Sequence, residues 1–204
     1  PAASTAGPSG GEAEGCGRRD LVAEAFAAID AAIHEDLGSR PDAELDARMV
    51  AVTALADRAG VLRAVTAGAW APRATWSGRG PWSSAAGWLD RETGMARSEA
   101  HRVIKTGAVI AEHPVVADAV RSGALTCRKV EVLGPLATEA RAGSFARDAQ
   151  VLVDTSTGLQ RFDDVTRLAR RWKTLADDET ASADAGARYD QREVLRGGCV
   201  WARS

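Results

Sequence analysis

The sequence is poor in the residues that build disulfides and metal sites, and it has no long apolar run. Three cysteines occur in 204 residues, and the wide spacing and odd number of Cys16, Cys127 and Cys199 argue against a disulfide framework and a zinc site. No apolar run approaches the roughly 20 residues of a membrane-spanning helix, and no signal peptide is recognisable. We therefore expect a cytoplasmic protein without membrane contact.

Catalytic groups are also scarce. The three histidines, His34, His101 and His113, lie on separate segments without metal-ligand spacing, and the sequence has no asparagine. No serine or cysteine lies in a nucleophile elbow, and the glycines form neither a P-loop nor a dinucleotide-binding fingerprint. We expect no cofactor or metal in this chain and no catalytic motif of its own.

The composition predicts one globular helical domain with loose ends. Apolar residues make up 45% of the chain and the net charge is −2, so a nucleic-acid-binding surface would have to be a local patch. The chain starts without Met and stops after "GGCVWARS", which suggests a piece of a longer protein. We divide it into a disordered leader (1–19), a helical domain (20–176), and a linker with the truncated start of a following region (177–204).

The start of the helical domain predicts a helical hairpin. Two runs of apolar residues at helical spacing are joined by the turn "GSRPD", and the second helix is expected to continue toward Trp70. Such a seam is expected of a dimer interface and, more commonly, of a hairpin that packs on the rest of its own chain. The seam residues are Val22, Phe26, Ile29, Ile33 and Leu37 in the first helix, and Leu45, Met49, Val52, Ala56 and Ala59 in the second.

Residues 88–107, "WLDRETGMARSEAHRVIKTG", predict a helix-turn-helix. Gly94 closes the first helix, because the residue just past a helix end often needs a positive φ. The second helix gathers small and apolar residues on one face, so another element should pack closely against it. That face carries Ala100, Val103, Ile104, Gly107, Ala108 and Ala111, whereas Arg102, Lys105, Val109 and Glu112 face away.

A weak internal repeat of thirty residues predicts a second unit of the same form. Pro114 starts a helix that ends at Gly123, and another helix follows the turn. Thr126 can cap that helix, whereas its counterpart Ala96 in the first unit cannot. The predicted fold is therefore an all-α, multi-helix bundle with two helix-turn-helix-like units. Its last helices, about 144–155 and 162–176, should bury Phe145, Ala149, Leu152, Val153, Val165, Leu168, Ala169 and Trp172.

These motifs resemble a known family. The segments "GAW", "SEAHRVIKTGAVIAEHPVVADAVRSGALTCRKVEVL" and "DDVTRLARRWKTL" are similar to the actinobacterial domain of unknown function number 222, the thirteen-E-twelve repeat family. The resemblance covers roughly residues 20–195, and the succession Trp88, Gly94, Pro114, Gly123 and Trp172 is its most specific part. It implies a mostly helical module that lies upstream of an HNH endonuclease domain in longer relatives. The sequence departs from the family at residue 96, where relatives usually carry a Ser-like cap.

The nuclease chemistry of the longer relatives is not expected within these residues. An HNH site uses a histidine to activate water, further ligands to hold a divalent metal, and an asparagine, and this sequence has no asparagine. A divalent metal is therefore expected only in a nuclease domain outside this chain. Whether the longer protein is an enzyme stays open.

The favoured interpretation is a non-catalytic module that assists binding to double-stranded DNA. The helix after Gly94 would enter the major groove, with further basic residues holding the phosphates. The candidate DNA-binding residues are Arg97, Ser98, His101, Arg102 and Lys105 on that helix, Arg128 and Lys129 on the helix after Gly123, and Arg167, Arg170 and Arg171 near the end.

The alternative interpretation is a helical scaffold for protein–protein interaction or dimerisation without DNA contact. The first hairpin would form a homodimer, with Trp70, Trp76 and Trp82 as anchors, because tryptophan and arginine dominate interface hot spots. Salt separates the two interpretations: DNA affinity should fall steeply with ionic strength, whereas an apolar interface should barely respond.

Overall fold

A computed structural model describes residues 20–78, 80 and 84–198, with side chains up to residue 182. In this part of the chain the fold is all-α, without strands, as the sequence predicts. The predicted leader, 1–19, lies outside the described residues. The α-helices are α1 (Leu21–Ile33), α2 (Asp42–Trp70), α3 (Ala85–Thr93), α4 (Arg97–Glu112), α5 (Pro114–Ser122), α6 (Cys127–Leu133), α7 (Ala142–Gly158) and α8 (Phe162–Gly198).

The chain divides into two compact units, residues 1–49 and 50–204, with the division inside α2. We call the described residues 20–49 the hairpin and residues 50–182 the body. In the hairpin, the Asp20 carboxylate caps α1 by accepting hydrogen bonds from the backbone N–H groups of Val22 and Ala23. Arg48 donates to the Ala32 carbonyl at 2.9 Å and pairs with Glu35 at 2.7 Å. These contacts tie the start of α2 to the end of α1.

The hairpin has no buried core of its own. None of its described residues is buried, although the apolar periodicity predicted for both helices is present. Phe26 is 64% exposed, Ile33 is 70% exposed and Met49 is 67% exposed. Apolar side chains on both helices of the hairpin are therefore open to solvent.

The body folds around one continuous apolar core. Phe145 is buried in this core, with its ring edge-on to Trp172 at 5.8 Å between centroids and to His113 at 4.7 Å. The Trp172 indole N–H donates to Asp148 at 2.9 Å, so the buried ring keeps its polar group satisfied. The core also contains Val116, Val120, Leu125, Val130, Leu133, Leu136, Ala149, Leu152, Val153 and Ala169.

Helices α2 and α4 touch through their backbones. Both Gly68 and Gly107 are buried, and a Cβ atom on Gly107 would collide with the Ala64 carbonyl oxygen and the Gly68 backbone. The close packing predicted for the small-residue face of α4 is thus confirmed. The prediction that Val109 faces away is wrong, because Val109 is 6% exposed and packs near Gly134 beyond α6. Ala111, expected inward, is exposed.

Both predicted helix-turn-helix units are present. Gly94 ends α3 with a φ of 70°, and Gly123 ends α5 with a φ of 83°. The Thr126 hydroxyl caps α6 by accepting from the Lys129 backbone N–H, whereas Ala96 gives α4 no side-chain cap. The difference predicted between the two turns is therefore confirmed.

The helix end expected near residue 176 is wrong, because α8 continues to Gly198. No Gly or Pro interrupts residues 177–185, and the alanines there are strong helix formers. Arg141 pairs with Asp177 at 2.7 Å and Arg147 pairs with Glu179 at 2.8 Å, so the first acidic residues of the supposed linker are held on the body. Acidic composition alone did not distinguish a linker from a charged helix.

Candidate nucleic-acid interface

The start of α4 carries a continuous polar face. Arg97, Ser98, His101, Arg102 and Lys105 are all exposed, and their spacing places them along one side of the first three turns. The opposite side is fixed in the core through Ala100, Val103 and Gly107, among others. The structure thus brings together the five residues predicted for this helix.

Three basic side chains on this face have no acidic partner in the described part of the chain. Arg97, His101 and Lys105 are not engaged in an ion pair there, whereas Arg102 pairs with Glu131 through Nε at 3.2 Å. Nearby, Glu99 pairs with Arg63 of α2 at 3.0 Å. The ion pairs hold α4 against its neighbours, and the three remaining side chains are available to a ligand.

The two candidates on α6 have different surroundings. The Lys129 ammonium group donates to the carbonyls of Ser156 and Leu159 at 2.8 and 2.9 Å. It thereby supplies hydrogen-bond donors to backbone carbonyls at the C-terminal end of α7. Arg128 is exposed, and its guanidinium group lies 4.3 Å from the centroid of the Phe162 ring. The fold uses Lys129 as a structural side chain and leaves Arg128 open to solvent.

The candidates on α8 form an exposed ridge beside a buried stripe. Arg167, Arg170 and Arg171 are exposed, whereas Ala169 and Trp172 are buried. Arg167 forms an ion pair with Asp164 one turn earlier. Of the three, Arg170 and Arg171 are therefore the more available for phosphate contact.

The net charge of −2 is the sum over regions of opposite net charge. Residues 20–49 contain eight acidic and two basic residues, whereas residues 50–182 contain eighteen basic and fifteen acidic residues. The hairpin thus has a net charge of −6 and the body a net charge of +3. A polyanion such as DNA is attracted to the second region and repelled by the first. Counting charge over the whole chain missed this signal, which was readable from the sequence.

Tryptophans proposed as interface anchors have structural contacts. The ring of Trp70 lies 5.0 Å from that of Trp88 in α3, and the Trp76 indole N–H donates to the Ala71 carbonyl. Trp82 lies outside the described residues. The first two rings therefore help to join the end of α2 to the elements that follow it.

A polar cleft beside α4 was not predicted. It has a volume of about 440 Å³ and lies among α2, α4, α6 and the first residue of α8. The Asp57 carboxylate in this cleft accepts the Cys127 backbone N–H at 3.0 and 3.2 Å. Burial, reinforced by Glu131 and Asp57, raises the pKa of the Cys127 thiol to about 11, so the thiol is neutral at pH 7. No linear spacing could reveal a site drawn from four helices.

No protein-family model, curated protein or solved structure matches this chain. Among the described residues, no cluster of three or more His, Cys, Asp or Glu side chains could hold a metal ion. Within the same part of the chain, no helix combines the length and apolarity needed to span a membrane.

Proposed function

We propose that this chain is a non-catalytic helical module of an HNH endonuclease-like protein, related to the domain of unknown function number 222, and that it assists DNA binding. The observation that carries the proposal is the exposed face of α4, the second helix of the first helix-turn-helix unit, which bears Arg97, Ser98, His101, Arg102 and Lys105. The core fixes the other side of the helix, so the polar face is presented rigidly.

The chemistry of this face suits a phosphate backbone. Arg97 and Lys105 have no acidic partner in the described part of the chain, so binding DNA does not require them to leave an ion pair. The first backbone N–H groups of α4 lack a side-chain cap, and such groups favour an anion together with the helix dipole. An α-helix fits the major groove, where His101 and Ser98 could reach base edges. The positive charge of the region that contains α4 would steer DNA toward it.

The test is fluorescence anisotropy of a labelled duplex, titrated with the chain at low and physiological salt. The double variant Arg97→Glu, Lys105→Glu should weaken binding by at least about tenfold and lower the salt dependence by about one unit of slope per lost contact. A control with the same charge change, Arg73→Glu plus Arg121→Glu, alters exposed residues outside the candidate DNA-binding set and should change affinity much less. Equal losses in both variants, or no binding at low salt, would contradict the proposal.

Self-association through the hairpin is a second candidate function, favoured by its exposed apolar side chains. Leu21, Phe26, Ile33 and Met49 are each more than 60% exposed. A helical hairpin without a core is marginal in water, and each of these side chains would gain roughly 1.5–3 kcal/mol on full burial. A second copy of the hairpin presents the same two apolar stripes, so that a symmetric four-helix pairing would cover both.

The charge of the hairpin makes this candidate testable through salt. Two copies, each with a net charge of −6, repel one another, so added salt should strengthen self-association while it weakens DNA binding. Sedimentation velocity over a range of concentrations should detect a dimer that Phe26→Ser plus Ile33→Ser abolishes. Val151→Ser plus Leu175→Ser, at exposed apolar positions of the body, is the matched control. A monomer at every concentration in high salt would exclude this candidate.

A further inference from the structure

We propose that the polar cleft beside α4 binds a phosphate group between three arginine side chains. We call it the arginine cleft, and its arginines are Arg63 of α2, Arg102 of α4 and Arg128 of α6. Insofar as the phosphate belongs to DNA, the inference rests on the proposed function. A phosphorylated small molecule, such as a mononucleotide, offers the same group, and the experiment below separates the two sources.

The three guanidinium groups keep free hydrogen-bond donors. Arg63 pairs with Glu99 through a single nitrogen, Nη1, and Arg102 pairs with Glu131 through Nε. Arg128 has no acidic partner in the described part of the chain and contacts the face of the Phe162 ring. A guanidinium group has five N–H donors in a planar fork, so the three side chains together can still surround an anion that has several oxygens.

The acidic side chains of the cleft are already engaged. Both carboxylate oxygens of Asp57 accept the Cys127 backbone N–H, and Glu131 pairs with Arg102. The cleft is lined by three arginines and two carboxylates, and Glu99, which pairs with Arg63, balances the third arginine. The attraction for an anion therefore comes from the free guanidinium N–H donors and not from a net charge of the cleft.

The cleft has room for a phosphate carried by a larger molecule. A volume of about 440 Å³ lies within the range of ligand pockets and leaves room for a sugar attached to the phosphate. Phe162 holds the Arg128 guanidinium in place by stacking, which lowers the entropy lost when that group binds an anion. Because Arg102 also belongs to the exposed face of α4, a DNA strand lying on that face could place one backbone phosphate in the cleft.

The experiment measures phosphate directly at the arginines. Inorganic phosphate and a 5′-mononucleotide are titrated into the full chain while the arginine Nε–Hε signals are followed by NMR. A labelled duplex is titrated in parallel by fluorescence anisotropy. The variants are Arg63→Gln plus Arg128→Gln, which we call the cleft variant, the control Arg73→Gln plus Arg121→Gln, and Glu99→Gln. Circular dichroism checks the fold of each.

We expect saturable shifts of Arg63, Arg102 and Arg128 with phosphate or the nucleotide, and a loss of about tenfold in affinity in the cleft variant but not in the control. Glu99→Gln should bind several-fold more tightly, because it frees the Arg63 guanidinium. A gain in affinity cannot come from misfolding. The inference would be overturned if neither phosphate nor the nucleotide shifted the arginine signals. It would also be overturned if all variants bound these probes with equal affinity.

The two sources of phosphate give different results with the duplex. Duplex affinity that falls in the cleft variant supports a backbone phosphate, whereas unchanged duplex affinity beside lost nucleotide binding supports a small phosphorylated ligand. If the duplex does not bind at all while phosphate shifts the arginines, the proposed function fails and the arginine cleft stands. If the duplex binds through Arg97 and Lys105 while phosphate and nucleotide leave the arginines unshifted, the proposed function stands and the inference about the cleft fails.

Discussion

The hairpin and the body are both helical, yet they differ in what covers their apolar faces. In the body, side chains such as Leu125, Val130 and Leu133 are completely buried. In the hairpin, none of the described residues is buried, and Phe26 and Ile33 are among the most exposed apolar side chains. Helical periodicity identifies an apolar face in both regions. It does not say whether that face is covered by the same chain or by another molecule.

The charges divide in the same place. The acidic hairpin is unsuited to DNA, and the basic excess lies between residues 50 and 176, which include α4 and the arginine cleft. We therefore expect changes in the hairpin to alter self-association, and changes in the body to alter stability and DNA binding.

Truncating one apolar side chain in each region should give the largest contrast. Leu133→Ala should lower the free energy of unfolding by about 2–5 kcal/mol, because it leaves a cavity in a fully buried position. Phe26→Ala should change it by less than about 0.5 kcal/mol in dilute solution, where the side chain is exposed. Urea unfolding followed by circular dichroism measures both. A large loss in Phe26→Ala at low concentration would mean that the hairpin is covered within one chain.

Adding a methyl group at the crossing of α2 and α4 should have the next largest effect. Gly107→Ala should destabilise the body by about 1–3 kcal/mol, because the new Cβ meets the Ala64 carbonyl oxygen and the Gly68 backbone. Gly143→Ala is the control, since a Cβ there meets no atom and alanine favours helix by up to about 1 kcal/mol. Thermal unfolding of the two variants should shift in opposite directions. A neutral Gly107→Ala would contradict the close crossing.

The contact between α7 and α8 should make the body sensitive to acid. Arg147, and next the Trp172 indole, hold the pKa of the Asp148 carboxyl below its ordinary value of 3.8. This contribution to stability is present above that value and is lost as the pH falls through the lower folded-state pKa. Asp148→Asn should therefore destabilise the protein at pH 7, and the difference should shrink toward pH 3. Urea unfolding at several pH values measures it, and a constant difference would contradict the assigned cause.

The two helix-turn-helix units should differ by one capping interaction. Ala96→Ser should stabilise the body by about 0.5–1 kcal/mol, and Thr126→Ala should destabilise it by about 1 kcal/mol, because a hydroxyl at this position accepts a backbone N–H of the helix. Differential scanning calorimetry can resolve both. If Ala96→Ser also weakens DNA binding, the uncapped N–H groups of α4 contribute to the interface.

Most of the fold was predictable because it follows local rules. The turns at Gly94 and Gly123, the cap at Thr126 and the small-residue face of α4 are each encoded within a few neighbouring residues. Features that depend on distant contacts were not predictable in this way. Val109 is buried by the segment beyond α6, and α8 continues past residue 176 partly through ion pairs with α7 and the turn before it.

In the candidate site, too, the local features were predictable and the features that depend on distant contacts were not. The exposed residues of α4 share one helix, so their common face follows from spacing. The structural role of Lys129 depends on the end of α7, and the arginine cleft depends on the meeting of four helices. Neither could be read from residue types alone.

Hydrogen exchange followed by mass spectrometry tests most directly whether the body binds DNA and the hairpin self-associates. The full chain is measured at low and high protein concentration, with and without duplex DNA. DNA should slow exchange at the start of α4, residues 97–105, and a higher protein concentration should slow exchange in residues 20–49, with neither effect spreading to the other region. Protection of the hairpin by DNA, without protection of α4, would contradict this expectation.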